Sequence, residues 1–131
     1  MRTRIIVGVT LLIAMLGVGT FAVRASEVGR IQWTAVNFVD AVQVKDQLVM
    51  GPVLIVHDDE KMARGEPCTT FYRFDPAKGP QEKLISFHCL PVQRSRAAHT
   101  TFSTVGTEVG CKRLVEYQIA GDSEAHGIPS K

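Results

Sequence analysis

Four histidines and three cysteines supply the metal-ligating and redox-active side chains of this 131-residue chain. The densest polar cluster is His57-Asp58-Asp59-Glu60, placed where the apolar run Val53-Leu54-Ile55-Val56 gives way to a loop. An imidazole and carboxylates at a strand end can hold zinc or copper, and Met62 and Cys68 nearby add soft donor types. Adjacent residues on a strand point to opposite faces, so His57 and Asp58 can share an ion only where the strand has already ended. The spacing matches no established metal motif, and the plainer account of the cluster is a solvated acidic loop.

A second cluster, Gly121-Asp122-Ser123-Glu124-Ala125-His126-Gly127, follows the strand-like run 114–120. Its glycines would let the backbone approach a ligand closely, which makes Asp122 and Glu124 candidate polar site residues. If the two clusters converge, the candidate metal ligands are His57, Asp58, Asp59 and His126. Asp122, Ser123 and His126 are the residue types of a hydrolytic triad, but they crowd into five positions, and the Gly-x-Ser-x-Gly nucleophile elbow is missing. A polar turn in which Asp122 bonds its own backbone is the simpler reading. His88 beside Cys89 has the types of a copper or haem ligand pair, yet the Cys-x-x-Cys-His haem motif, the P-loop, the dinucleotide fingerprint and His-Glu-x-x-His are all absent. No catalytic residue and no cofactor motif is assigned, and a bound metal ion is the one cofactor left open.

The elements that must position these residues read as strands. After Gly29 the chain runs through period-two stretches rich in Val, Ile, Thr and aromatics at 31–40, 42–44, 48–57, 68–74, 83–92, 98–105 and 112–120. No stretch has the apolar spacing of an amphipathic helix, and 58–64 allows one helical turn at most. The expectation is an all-β domain, a small antiparallel sandwich or barrel of six or seven strands. Most aromatics fall within the strand runs and are assigned to the core rather than to a stacking platform.

Between the runs 68–74 and 83–92 lies the turn-rich segment 75–82. An eight-residue loop there sets Phe74 against Lys83 and Cys68 against Cys89. It also puts Thr70 with Phe87 and Tyr72 with Ile85 on one apolar face. Thr69 with His88, Phe71 with Ser86 and Arg73 with Leu84 take the other. This register predicts a Cys68–Cys89 disulfide, which would close a loop of about 20 residues and stabilise a small domain by about 3 kcal/mol. Two buried thiols in a reduced core are the alternative. Cys111 is then the odd cysteine, a buried spectator or a thiol for another molecule.

Whether disulfides can form depends on where the chain goes. Arg2 and Arg4 precede an uncharged apolar run at 5–23, which ends in Val23-Arg24-Ala25. That is the pattern of a signal peptide, residues 1–25, cut before Ser26 to leave a single β domain at 26–131. An uncleaved leader, long enough to cross a bilayer, would be the only membrane attachment. A secreted or periplasmic destination follows, and with it an oxidising environment. The leader carries three arginines and no acid, so the remaining chain has 12 basic and 13 acidic residues and a net charge of −1. Such a domain lacks the basic excess of a nucleic-acid binder.

The segments 51–70, Ser86-Phe87-His88-Cys89 and 116–129 resemble those of a group of small exported bacterial proteins of unknown function. The resemblance spans about residues 40–129 and implies export and a compact β domain, with no reaction attached; Cys111 lies outside the shared pattern. The leading expectation is a non-enzymatic secreted or periplasmic β domain that binds a protein partner or an envelope component. A periplasmic copper- or zinc-binding protein is the alternative, and a small hydrolase the weaker one.

Overall fold

The computed structural model describes residues 29–130, so the leader 1–25 lies outside the described residues. Eight strands and one short helix follow in chain order: β1 (Ile31–Val44), β2 (Gln47–Asp58), α1 (Asp59–Ala63), β3 (Thr69–Asp75), β4 (Gly79–Phe87), β5 (Leu90–Gln93), β6 (Thr101–Gly106), β7 (Lys112–Gln118) and β8 (Glu124–Gly127). The domain is all-β, as the period-two runs predict. All eight strands belong to one open sheet in the order β4-β3-β2-β1-β7-β8-β5, with β6 paired to β7. There is thus one strand more than the upper expectation of seven. One pairing, β1 with β7, is parallel, joining Val42 to Lys112 and Gln43 to Arg113.

The runs 31–40 and 42–44 fuse into a single β1, because the interruption between them is a bulge. Between Phe38 and Val42 the strand carries four steps against two on β2, from Gly51 to Val49. Extra residues on one strand bend it and increase its twist, and Gly51 opposite the bulge sits at φ 84, a conformation that favours glycine. Beyond the bulge β1 remains paired with β2, Val42 to Val44 against Val49 to Gln47, while its other edge meets β7.

The sheet curls until its inner faces touch. β2 and β8 are three strand spacings apart in the sheet order, about 14 Å in a flat sheet. Yet the rings of His57 on β2 and His126 on β8 have centroids only 4.0 Å apart. The same gap is spanned by Thr69 on β3 and Tyr117 on β7, whose hydroxyls lie 2.6 Å apart. The interior between these faces is filled by Val44, Val49, Val53, Ile55, Phe71, Phe87 and Leu114, each buried.

The β3–β4 hairpin departs from the expected register. Asp75 pairs with Gly79, and the Asp75 carboxylate accepts the N–H groups of Ala77 and Lys78, so the turn closes after three residues rather than eight. Gly79 at φ 87 completes it. Phe71 then faces Ile85 instead of Ser86, and Thr69 faces Phe87 instead of His88, with two irregularities along the ladder. A slip of one residue turns a strand over. Consequently Phe71 and Phe87 point inward with ring centroids 5.9 Å apart, while Tyr72, expected in the core, is only half-buried.

Two further boundaries differ. The run 83–92 breaks at His88-Cys89 into β4 and β5, and the segment read as a polar C-terminal turn contains β8, which pairs with both β5 and β7. The turn itself is present just before it: the Asp122 carboxylate accepts the Glu124 N–H at 3.1 Å, as expected of a side chain bonding its own backbone.

Candidate metal centre

The strand β2 delivers His57 to the interior by simple alternation. Val53, Ile55 and His57 share one face, and all three are fully buried. Its ladder is still intact there, since His57 pairs with Gln32 on β1 and with Thr69 on β3. The strand ends one residue later, where Asp58 caps α1 by accepting the N–H groups of Glu60 and Lys61. The cap turns the chain into α1, whose Met62 packs against the core.

Both cysteines of the hairpin reach the same place from outside the ladder. Cys68 immediately precedes β3 and Cys89 lies between β4 and β5. Their approach therefore survives the register slip, because strand alternation does not govern either residue. Cys68 N–H donates to the Phe87 carbonyl at 3.1 Å, and Cys89 N–H donates to the Cys68 sulfur at 3.2 Å. The two sulfurs are 2.8 Å apart. That is longer than the 2.03–2.05 Å of a disulfide, so the expected Cys68–Cys89 bridge is not formed here and both residues are thiols, the alternative of a reduced buried pair.

His57, Cys68 and Cys89 present ligand atoms that all lie within 4.8 Å of one another, and all three residues are buried. Two more donors flank them. The Met62 sulfur is 3.8 Å from the Cys89 sulfur, and His126 Nδ1 is 3.6 Å from it. The His126 ring also stacks on that of His57 and lies 5.0 Å, centroid to centroid, from Tyr117.

The imidazoles and Gln32 Oε1, from the residue that pairs with His57 across β1 and β2, have buried polar atoms without hydrogen bonds. His57 Nδ1 and Nε2 and His126 Nε2 are buried without a hydrogen-bond partner. His57 Nδ1 does lie 3.2 Å from the Asp59 carboxylate, a distance within reach but off the line of a hydrogen bond. Buried polar atoms without partners are rare in native proteins and ask for a reason. Burial lowers the pKa of His57 against the pull of Asp59. Burial, followed by the neighbouring His57, brings His126 down to about 4. Both rings are consequently neutral at pH 7, with a lone pair on one nitrogen each, the form in which imidazole binds metals. Burial, followed by Cys68, pushes the Cys89 thiol up to about 12, and a strong local positive charge such as a metal ion would favour loss of its proton.

The carboxylates of the two polar clusters take other tasks. Asp58 is committed to the α1 cap. Asp59 and Asp122 are bridged by Arg30, at 3.6 Å and 3.2 Å, which ties both clusters to the start of β1. Asp59 is thereby placed to orient His57 from behind, the role that outer carboxylates play toward ligating histidines. For Asp122, burial raises the pKa but is outweighed by the Glu124 N–H, Gln32 and Arg30, and the carboxyl stays below its ordinary value. Glu124 lies 3.9 Å from His126 Nδ1, and burial raises its pKa. His88 is half-buried and stands outside the cluster, while Ser123 is exposed and His126 buried.

The structure thus brings together His57 and His126 from the expected set and places Asp59 against His57. It keeps Asp58 apart. Cys89 as a candidate ligand was hidden in the sequence by its apparent pairing with Cys68. The legible signal for His57 was its place at the end of the apolar run 53–56, which does not show which face is inside. Compared with family models, curated proteins and solved structures, the chain matches none.

Proposed function

We propose that this protein is an exported β domain that binds a soft transition-metal ion, copper(I) or zinc, in the buried pocket of His57, Cys68 and Cys89. The observation that carries this reading is the convergence of three buried ligand side chains, one of them an imidazole with neither nitrogen hydrogen-bonded. A core histidine serving packing alone would be expected to have found partners. Thiolate and imidazole donors suit both ions, and a thioether at Met62 inclines the set toward copper(I). His126 supplies the fourth donor or supports Cys89 from the next layer. Binding would release the thiol protons, since the ligands are thiolates.

Export rests on the leader at 1–25 and the resemblance to exported proteins, and the curled sheet serves as a half-closed barrel around the site. Elemental analysis of protein recovered from the periplasm or medium without chelator tests the reading. One equivalent of copper or zinc is expected, lost in His57→Ala and Cys89→Ser, whereas metal-free wild type with no uptake from added copper(I) or zinc refutes it.

A second reading, attachment to a protein or envelope component, has separate support. Leu48 and Met50 on β2, Val39 at the bulge and, toward the other end of β1, Ile31 and Trp33 are exposed, and large exposed apolar side chains are a feature of interaction sites. Trp33→Ser with Leu48→Ser would then release the protein from the envelope fraction while leaving its metal content unchanged.

A further inference from the structure

The two sulfurs that serve the metal are also placed to bond to each other. Cys68 and Cys89 approach to 2.8 Å, inside the ordinary contact distance of two non-bonded sulfurs and within about 0.8 Å of a covalent bond. Their backbones are already coupled, because Cys89 N–H points at the Cys68 sulfur and Cys68 N–H is held by the Phe87 carbonyl. Neither residue lies in a strand ladder, so closing the gap needs no change of register. Cys111 is placed elsewhere, beside Thr107 at 3.5 Å in the turn before β7, and does not compete.

We propose that Cys68 and Cys89 form a thiol–disulfide switch that governs metal occupancy: the dithiol binds the ion and the disulfide releases it. This rests on the metal-binding reading above. The oxidant is a disulfide of another molecule, either a small thiol compound or a protein. One cysteine thiolate attacks that disulfide and expels one thiol, and the second cysteine then resolves the mixed disulfide and expels the other. The balance is two protein thiols plus one external disulfide giving one protein disulfide plus two external thiols. Two of the three converging ligands become a disulfide with no anionic sulfur, while His57 and His126 remain. A bound ion opposes the reaction by holding both thiolates, so metal and oxidant exclude one another.

Exposure is what sets the rate. Both sulfurs are buried, and the only helix among the described residues, the five-residue α1, carries Met62 against Cys89. Met62 on α1 is one of the groups an attacking disulfide must displace to reach the pair.

The test uses the whole mature protein and zinc as the probe, with a chromophoric chelator in competition. Protein reduced and desalted under inert gas is compared with protein equilibrated with glutathione disulfide, its bridge mapped by mass spectrometry and its fold checked by circular dichroism. The reduced form is expected to bind one zinc. The folded, Cys68–Cys89-bridged form should bind at least about 100-fold more weakly, beyond the range that outer-layer changes produce, and reductant should restore affinity. Equal affinity in both forms, a bridge that includes Cys111, or no bridge at all overturns the switch while leaving the metal site standing. Failure of the reduced, folded protein to bind zinc overturns the metal site and the switch together. Cys68→Ser provides a control: oxidant can leave it at most a mixed disulfide at Cys89, so an internal bridge found in it by mass spectrometry, or reductant-reversible oxidation to an internally bridged form, refutes the assignment.

Discussion

Replacing His57 by leucine separates a ligand from a structural core residue. In the metal-free protein the ring occupies a fully buried position with both nitrogens lacking hydrogen bonds. An unsatisfied buried polar group destabilises by about 1–3 kcal/mol. Nε2 bears that penalty, whereas Nδ1 is partly served by Asp59 at 3.2 Å. Leucine removes the penalty at the expense of shape mismatch, up to about 1.5 kcal/mol for a swap of similar volume. The net expectation is a stabilisation of about 1 kcal/mol without metal, a rise in Tm of roughly 4–8 °C for a domain of this size. Excess zinc should reverse the order. At about 1,000 times its Kd, zinc stabilises wild type by about 4 kcal/mol and His57→Leu hardly at all. Urea unfolding followed by circular dichroism, with EDTA in one arm and zinc in the other, reads both effects. If His57→Leu loses more than about 2 kcal/mol in EDTA, the imidazole is a satisfied structural group and the argument from orphaned nitrogens fails.

Other consequences can be checked with the same protein. Metal-free stability should fall as pH drops from about 6.5 to about 4, because His126 is neutral in the fold down to about 4 while the unfolded chain takes up its proton near 6.5. His57, Asp122, Glu124, Arg30 and Cys89 face or surround that ring. The His126 contribution is full above the window and gone below it, about 3 kcal/mol at most, and His57 acts in the same direction. Urea midpoints in EDTA that stay level or rise on acidification would contradict this. Asp58→Ala should remove the α1 cap and about 1 kcal/mol while leaving zinc affinity unchanged; a loss of about tenfold or more would instead make Asp58 a participant in the site. Thr69→Val should destabilise by about 1–3 kcal/mol, more than Tyr117→Phe, since it strands the Tyr117 hydroxyl 2.6 Å from a methyl group in a buried interior. The comparison is a pair of thermal melts, and equal effects would show that the hydroxyl has another partner.

What was readable from residues alone was local and periodic. The strand runs and the single helical turn after His57 follow from local periodicity, which requires no knowledge of neighbours; that His57 continues the inward face of Val53 and Ile55 was not read, because 53–56 are all apolar and do not show which face is inside. The turn at Asp122 was likewise legible, because a short carboxylate bonds its own backbone within two residues. The hairpin register was not, since it depended on how soon Asp75 and Gly79 close the turn and on which aromatic rings the rest of the molecule had room to bury.

The sequence by itself determined the all-β character and that two polar clusters stand near apolar strands. Only the tertiary structure decided that those clusters meet, because β2 and β8 are far apart in the chain and three positions apart in the sheet, and the curl of that sheet is a collective property of bulge, twist and core packing. The roles within the site were settled at the same level. Asp58 became a cap and Asp59 a partner of Arg30. Cys68, Cys89 and His57 converged because their backbones arrive from three separate segments, a coincidence in space that no spacing along the chain encodes.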